Sequence, residues 1–410
     1  MNDFFNASHV CLLQSNGSRS FYREDEYEFI LAIGCQKECR AETNAIETLQ
    51  QFIDRNRGQW IFGVISYDVK NEIEELQSEN PPVFSVPLIC FFIPETVILK
   101  RKNEPVWKYD KSGVTRLPNF SFPSRQKESA TNKPFSFQSS LQADEYLQAI
   151  HQLKRHIQYG NIYEITFCLN FFSEDVCIHP WNTWLRLHAL SPAPMACYFK
   201  AGKLHLISSS PERFLKKKDD RLISQPIKGT IRRSMNREED NQLKSELAES
   251  PKEQSENVMI VDLVRNDLSR VAWRGSVQVD ELFGIYSLAH VHQMISTISC
   301  RLRPEITFAD ILRATFPMGS MTGAPKISAM KLIEKYERFR RGWFSGCAGY
   351  IDPAGNFDFN VIIRSILYDE EKKRLCFPAG SAITIGSDAR KEYEECLLKA
   401  VMMRRALQEN

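Results

Sequence analysis

The sequence contains no run of roughly 18 apolar residues, so no transmembrane helix is expected. Its start, Met1-Asn2-Asp3-Phe4-Phe5, lacks the basic residues and apolar core of a secretion signal, and the expected compartment is the cytoplasm. An excess of either charge is also missing. The 53 Lys and Arg against 51 Asp and Glu leave a net charge of +2, which gives no overall field for gripping nucleic acid or an anionic membrane. The longest basic run, Lys216-Lys217-Lys218, is followed at once by Asp219-Asp220 and reads as a hairpin tip. The 11 cysteines are scattered, and the nearest two, Cys35 and Cys39, stand apart from any second pair or His cluster. That pattern fits reduced thiols better than a disulfide framework or a zinc site. Internal repeats, a phosphate-binding GxxxxGK[ST] loop and a nucleophilic Cys in a Gly-rich elbow are all absent.

What is present is ordinary globular composition, 43% hydrophobic and 25% charged, over 410 residues. Residues 1–116 alternate short apolar runs such as Trp60-Ile61-Phe62-Gly63-Val64-Ile65 with polar helical stretches, without βαβ regularity. Residues 117–140, rich in Pro, Ser, Asn and Lys, read as a linker or long surface loop. From 141 to 410 the chain reads as one α+β unit built on large antiparallel sheets. It opens with a helix that puts Tyr146, Leu147, Ile150, Leu153 and Ile157 on one face before Gly160. In the next strand, Ile162 to Phe172, apolar Tyr163, Ile165, Phe167, Leu169 and Phe171 alternate with Glu164, Thr166, Cys168 and Asn170. One face enters a core and the other lines something polar. Further strands are expected at Ala196–Phe199, His205–Ser209, Val361–Leu367 and Leu375–Phe377.

Four constellations could carry chemistry. Glu253 and Glu256, and again Glu392 and Glu395, are three apart on predicted helices, so each pair projects from one face. Glu-x-x-Glu is common on solvated faces, but two such helices facing each other would offer oxygens to a hard cation such as Mg2+. Arg364 lies in the apolar run Val361-Ile362-Ile363-Arg364-Ser365-Ile366-Leu367, where a guanidinium needs an anionic partner, either a structural acid or a ligand carboxylate. The segment from Phe316 to Lys326 leads into a helix with Ile327, Met330, Ile333 and Tyr336 on one face, and Thr322 or Ser320 could cap it. Glu212, in Ser210-Pro211-Glu212, and Lys228, in Pro226-Ile227-Lys228-Gly229-Thr230, are separated by a charged turn and could face each other across a hairpin. Such a pair is usually a surface salt bridge, but in a closed pocket it could supply a proton donor and an amine nucleophile.

Taken in order, these segments resemble the chorismate-utilising enzymes, which include anthranilate, aminodeoxychorismate, isochorismate and salicylate synthases. The matching blocks are Ser210-Pro211-Glu212, Pro226 to Thr230, Lys252-Glu253-x-x-Glu256, Val261 to Leu268, Gly323-Ala324-Pro325-Lys326, Ile363-Arg364-Ser365 and Glu392-x-x-Glu395-x-x-x-Lys399-Ala400. The resemblance runs from about residue 140 to the C-terminus, and more loosely through Gly63-Val64-Ile65-Ser66-Tyr67-Asp68. It implies the fold of anthranilate synthase component I, a sandwich-like core of large antiparallel sheets with helices around it. It also implies Mg2+, with Glu256 and Glu395 as direct ligands and Glu253 and Glu392 holding its waters. Chorismate would be contacted by Gly229, Thr230 and Phe344, and clamped by Arg364 with the backbone of Gly380, Ser381 and Ala382. Glu212 resembles the general acid that helps the C4 hydroxyl depart.

Lys228 selects the branch, because anthranilate synthases carry Ala in this block and many aminodeoxychorismate synthases carry Lys. The implied reaction is amination of chorismate to 4-amino-4-deoxychorismate on the way to 4-aminobenzoate and folate. Ammonia would come from glutamine through a partner amidotransferase subunit. A nucleophilic Lys228 must be uncharged, so burial and nearby Mg2+ are expected to depress its pKa. The alternatives are anthranilate synthase component I and a non-catalytic scaffold for an amidotransferase. Departures from the family pattern are Glu164 where amine-transferring members have Gln, the His292-Gln293 register, Phe344 in place of a Tyr, and Ala379-Gly380-Ser381-Ala382 in place of Gly-Ala-Gly.

Overall fold

The computed structural model describes residues 2–16, 26–126 and 136–408. Strand alternation builds its core. In the His9–Gln14 strand, Cys11 faces one way while Val10 and Leu12 face the other. Ile30 and Ala32 oppose Phe29 and Leu31 in the same manner, as do Cys197 and Phe199 against Tyr198. Both faces are apolar because both are covered: one by a second sheet, the other by helices.

The first sheet has twelve strands and the second has ten, with every pairing antiparallel. One apolar cluster fills the space between them, joining Cys11, Ile30 and Phe199 to Phe62, Phe91 and Phe359. A second cluster lies on the outer face of the larger sheet, under the helices Ala143–Gln158, Pro180–Leu190 and Ala389–Gln408. This is the expected α+β sandwich with surrounding helices. Residues up to 116 are woven into both sheets. His9–Gln14 lies between Tyr27–Ile33 and Met195–Ala201, and Ile61–Ile65 pairs with Cys347–Ile351.

Of the expected loop at 117–140, residues 127–135 lie outside the described residues. The part before them is tied down, since Trp181 Nε1 donates to the Pro123 carbonyl and the Gln126 amide donates to Asn182 Oδ1. Lys216–Lys218 end the strand Arg213–Lys218, with Lys216 buried, and the hairpin tip before Arg221–Gln225 is Asp219-Asp220 alone, with Asp219 at φ 54°. All cysteines are free thiols, and no helix among the described residues is long and apolar enough to cross a membrane.

Two sequence expectations need correction. The run Val361–Leu367 is not one strand: regular pairing starts at Ser365, and Arg364 takes a left-handed backbone, φ 50°. The Val361 amide binds the Glu212 carbonyl and the Ser345 amide binds the Ile362 carbonyl, so local loop bonds replace a ladder there. The helix Lys326–Tyr336 is capped neither by Thr322 nor by Ser320. Its N-cap is Pro325, and the Thr322 hydroxyl instead turns back to the carbonyls of Met318 and Gly319.

A buried ion pair holds the polar face of the Glu164–Ser173 strand in place. Arg341 donates to Glu337 through Nε and Nη2 at 2.8 and 2.6 Å, and also to the carbonyls of Met321 and Thr166. The other demand on Glu337 comes from the Cys168 amide, 2.8 Å away. Removing one partner strands a charge in the core. Arg341→Met is therefore expected to cost about 3–5 kcal/mol in denaturant unfolding, with much of the loss restored in Arg341→Met/Glu337→Leu. A single variant within about 1 kcal/mol of the parent would show that the pair bears no such weight.

Candidate active site

Lys228 is set by an irregularity in its strand. Ile227 faces Ile295 and Thr230 faces Gln293, so three steps along Ile227–Arg232 oppose two along Val291–Arg301. Such a bulge re-aims the side chains it contains. It depends on Gly229, which has φ 89° and lies so close to Glu253 that an added Cβ would stand 3.0 Å from a carboxylate oxygen. As a result Lys228 points inward and is only 8% exposed.

The Lys228 ammonium donates to a carboxylate oxygen of Glu164, which is fully buried on the neighbouring sheet. Glu256 and Glu212 lie within electrostatic reach of the same amine. Burial pulls the Lys228 pKa down, but the Glu164 carboxylate, helped by Glu256 and Glu212, outweighs it, and the net shift is upward. The expected depression is thus corrected. The sequence reading counted burial and the metal but not the carboxylate that the Glu164–Ser173 strand brings to the amine.

Glu212 follows the Leu204–Ser210 strand, its amide held by Ser210 Oγ at 3.2 Å. Burial raises its carboxyl to about 7, against the opposing pull of the Ser320 hydroxyl, the Lys228 charge and the Ile227 amide. Glu212 and Lys228 are both buried and close enough for their charges to interact.

The helix Pro251–Ser269 starts at Ser250, whose hydroxyl accepts from the Glu253 amide, with Pro251 in the first position. Glu253 and Glu256 leave it on one side. The helix Ala389–Gln408 presents Glu392 and Glu395 toward them, and the charge of Lys252 on the first helix is stabilised by all four carboxylates. Burial pushes Glu256 up to about 7, with Lys228 countering and Glu164 adding to the rise. Its Oε1 has no hydrogen-bond partner. Glu253 is also raised by burial, and Glu395 adds to the effect. Burial acts the same way on Glu395, but Lys399, paired with it at 2.6 Å, leaves its pKa lowered. Among the described residues, no three of these carboxylates bring ligand oxygens within 4.8 Å of one another.

Arg364 is half-buried, and no hydrogen bond or ion pair among the described residues holds its guanidinium. Burial lowers its pKa, and only Glu395 supports the charge from a distance. Beside it, the strands Ser365–Asp369 and Arg374–Ile383 part company. They pair only through Leu367–Asp369 and Arg374–Cys376, so residues 378–383 are bonded on the Glu164–Ser173 side alone. Gly380 and Ala382 are half-buried on this stretch, while the Ser381 hydroxyl turns into the core, 3.4 Å from Tyr146 Oη. The Gly380 carbonyl accepts from Lys399 at 2.9 Å. Thr230 is exposed on its strand, whereas Phe344, 1% exposed, sits in the inter-sheet core. His292 is held by Asp240 and Ser287, and Gln293 stands opposite Thr230.

Sequence reasoning assigned no role to Lys252 or Lys399, although both stand in the quoted blocks. Their signal was spacing: Lys252 lies four residues before Glu256 and Lys399 four after Glu395, neighbours on a helix face.

The fold has counterparts among known proteins. Anthranilate synthase component I from Streptococcus pneumoniae superposes with a TM-score of 0.77 at 24% identity, covering 93% of each chain. Aminodeoxychorismate synthase component 1 of Bacillus subtilis is 30% identical over 386 residues, spanning 90% of this chain and 80% of that one. An anthranilate synthase component I-like protein of Synechocystis is 32% identical over 379 residues, 90% and 76% of the two chains. The family model described as chorismate binding enzyme matches residues 9–405, and this chain belongs to that family.

Proposed function

We propose that this chorismate-utilising enzyme is component I of an aminodeoxychorismate synthase, replacing the C4 hydroxyl of chorismate with an amino group. The observation that carries this reading is Lys228: a buried amine, where an alanine would leave no nucleophile, hydrogen-bonded to Glu164 and within electrostatic reach of Glu212. The relatives named aminodeoxychorismate synthase component 1 support it.

In the proposed reaction Glu164, already bonded to the ammonium, takes a proton from Lys228. The freed amine attacks ring C2, the two ring double bonds shift, and the C4–O bond breaks. Glu212 gives its proton to the departing hydroxyl, which leaves as water. Ammonia then adds at C4, the double bonds return, and the C2–N bond to Lys228 breaks. The amine released by that step recovers a proton and pairs again with Glu164. Arg364, half-buried and with no acid paired to its guanidinium among the described residues, would take the pyruvyl carboxylate in a fork. The backbone at Gly380 and Ala382 would help to seat it, while Gly229 and Thr230 would border the ring carboxylate. For Phe344 and Ser381 only an indirect, shaping contribution fits their burial.

The acidic helices fit Mg2+: their donors are hard oxygens, and Glu256 Oε1 accepts no hydrogen bond. Glu256 and Glu395 would bind it directly, with Glu253 and Glu392 holding its waters. When bound, the ion neutralises charge at the ring carboxylate. The ammonia would come from a glutamine amidotransferase subunit, consistent with the word component in the relatives' names.

With chorismate, Mg2+ and ammonium, the pure chain is expected to make 4-amino-4-deoxychorismate, to stop on chelation, and to be inert with glutamine alone. Lys228→Ala should lower amination at least about 100-fold or redirect the product, as identified by mass spectrometry. Anthranilate from the parent, or unimpaired amination by the variant, would refute the assignment.

The raised carboxyl of Glu212 sets a pH limit. Its proton is present below about 7 and lost above it, so kcat/KM should fall on the alkaline side through about 7. Glu212→Gln should cost at least about 100-fold with its fold intact by circular dichroism. A profile flat across that range would remove Glu212 as the acid.

A further inference from the structure

At the far edge of the ten-stranded sheet from the Lys228 strand, three side chains with metal-ligating atoms converge. His9 opens a strand of the larger sheet, whereas Glu38 and Cys90 belong to the paired strands Lys37–Ala41 and Ile89–Ile93 of the smaller one. In that pair Glu38 faces Phe92 and Arg40 faces Cys90, so Glu38 and Cys90 are diagonal neighbours on one face. The His9 ring packs on Phe92 with centroids 5.1 Å apart, which brings it over that face. One ligand atom from each of the three residues lies within 4.8 Å of the other two.

We propose that His9, Glu38 and Cys90 form a binding site for a borderline-soft divalent ion of the zinc type, clamping the two sheets where the chain crosses between them. The distances suit such an ion. Tetrahedral bonds of ordinary Zn–N, Zn–O and Zn–S length place N and O about 3.3 Å apart, and S and O about 3.6 Å apart. Here His9 Nε2 is 3.1 Å from Glu38 Oε1, and Cys90 Sγ is 3.8 Å from the same oxygen. The donor set of imidazole, thiolate and carboxylate selects Zn2+ over Mg2+ or Ca2+. Binding converts the Cys90 thiol to a metal thiolate, and its proton passes to solvent.

The surroundings supply what a ligand set requires. His9 Nδ1 lies 3.0 Å from Ser8 Oγ, an outer partner that fixes the ring with Nε2 directed at the site. Cys90 is fully buried, while the Glu38 side chain is 38% exposed and leaves an entry path. Two chain crossings meet here. Gly34 to Gln36 carries the chain from the larger sheet to the smaller, and Pro94-Glu95 carries it back. They are tied by backbone hydrogen bonds in which the Gly34 amide donates to the His9 carbonyl, Gln36 to the Ile93 carbonyl and Glu95 to the Ile33 carbonyl. Cys35, on the first crossing, interacts electrostatically with Glu38 and Cys90, while the fourth position of the ion is left to solvent. Without an ion, His9–Glu38 and Cys90–Glu38 are only hydrogen bonds, and the same contacts would be structural. An experiment separates the two cases.

The full chain, stripped with a chelator and kept in millimolar Mg2+ to occupy the glutamate helices, is titrated with Co2+ as an optical probe. The expected result is a thiolate-to-cobalt charge-transfer band that saturates at one Co2+ per chain and is bleached by Zn2+. Carboxylate helices cannot produce that band, so it is independent of the proposed chorismate chemistry. Zn2+ at one equivalent should also raise Tm, since the assembled site binds it more tightly than the thiols of the unfolded chain. Glu38→Gln and His9→Gln should each weaken binding at least about tenfold, with amination unchanged. Cys39→Ser, which alters a thiol on the opposite face of its strand, should bind as the parent does. No charge-transfer band, or a band undiminished in Glu38→Gln and His9→Gln, would overturn the site. Glu38→Gln changes a partly exposed side chain, so its metal-free Tm also reports whether the fold has been kept.

Discussion

The ion pair between Lys228 and Glu164 is the contact on which the rest of the proposed active site depends. Each residue alone would be an uncompensated charge in a buried space. Together they can stay buried, and the hydrogen bond between them provides a route for a proton to leave the amine. The pair also joins the two sheets, since Glu164 belongs to the larger and Lys228 to the smaller. Any shift in the sandwich would alter the charge state of the proposed nucleophile, which gives the buried Arg341–Glu337 network behind Glu164 a bearing on the proposed chemistry as well as on stability.

Around that pair the pocket is strongly acidic. Glu212 and Glu256 are both raised to about 7 by burial. The fold therefore collects carboxylates that repel one another, and the opposing charge comes from Lys228, Lys252 and Lys399 within the chain, and from Arg364 at the far side. A divalent cation and a substrate bearing two carboxylates would complete that balance: the cation beside the acidic helices, one substrate carboxylate beside it, the other at Arg364.

Much of this arrangement was legible in the sequence. The alternation in Glu164–Ser173 showed that one face is apolar and one polar, and the spacing of Glu253 with Glu256 and of Glu392 with Glu395 showed that each pair shares a helix side. Periodicity gives faces, however, and not which faces meet. The partnership of Lys228 with Glu164 spans 64 positions and two sheets, so no local pattern could reveal it, and the direction of the Lys228 shift was misjudged for that reason. Arg364 was misread because an apolar run of seven suits a strand, while the backbone needed a left-handed turn there to let neighbouring strands separate. The scattered cysteines likewise gave no metal motif, because the trio at His9, Glu38 and Cys90 is assembled by sheet pairing between segments far apart in the chain.

Lys228 as the nucleophile is tested most directly by intact-mass analysis of the chain incubated with chorismate and Mg2+ in the absence of ammonium. The expected species carries the mass of chorismate less one water, with peptide mapping placing it on Lys228, and it disappears when ammonium is added. An unmodified chain under conditions where amination proceeds on adding ammonium, or an adduct on a residue other than Lys228, would contradict the covalent role of this amine.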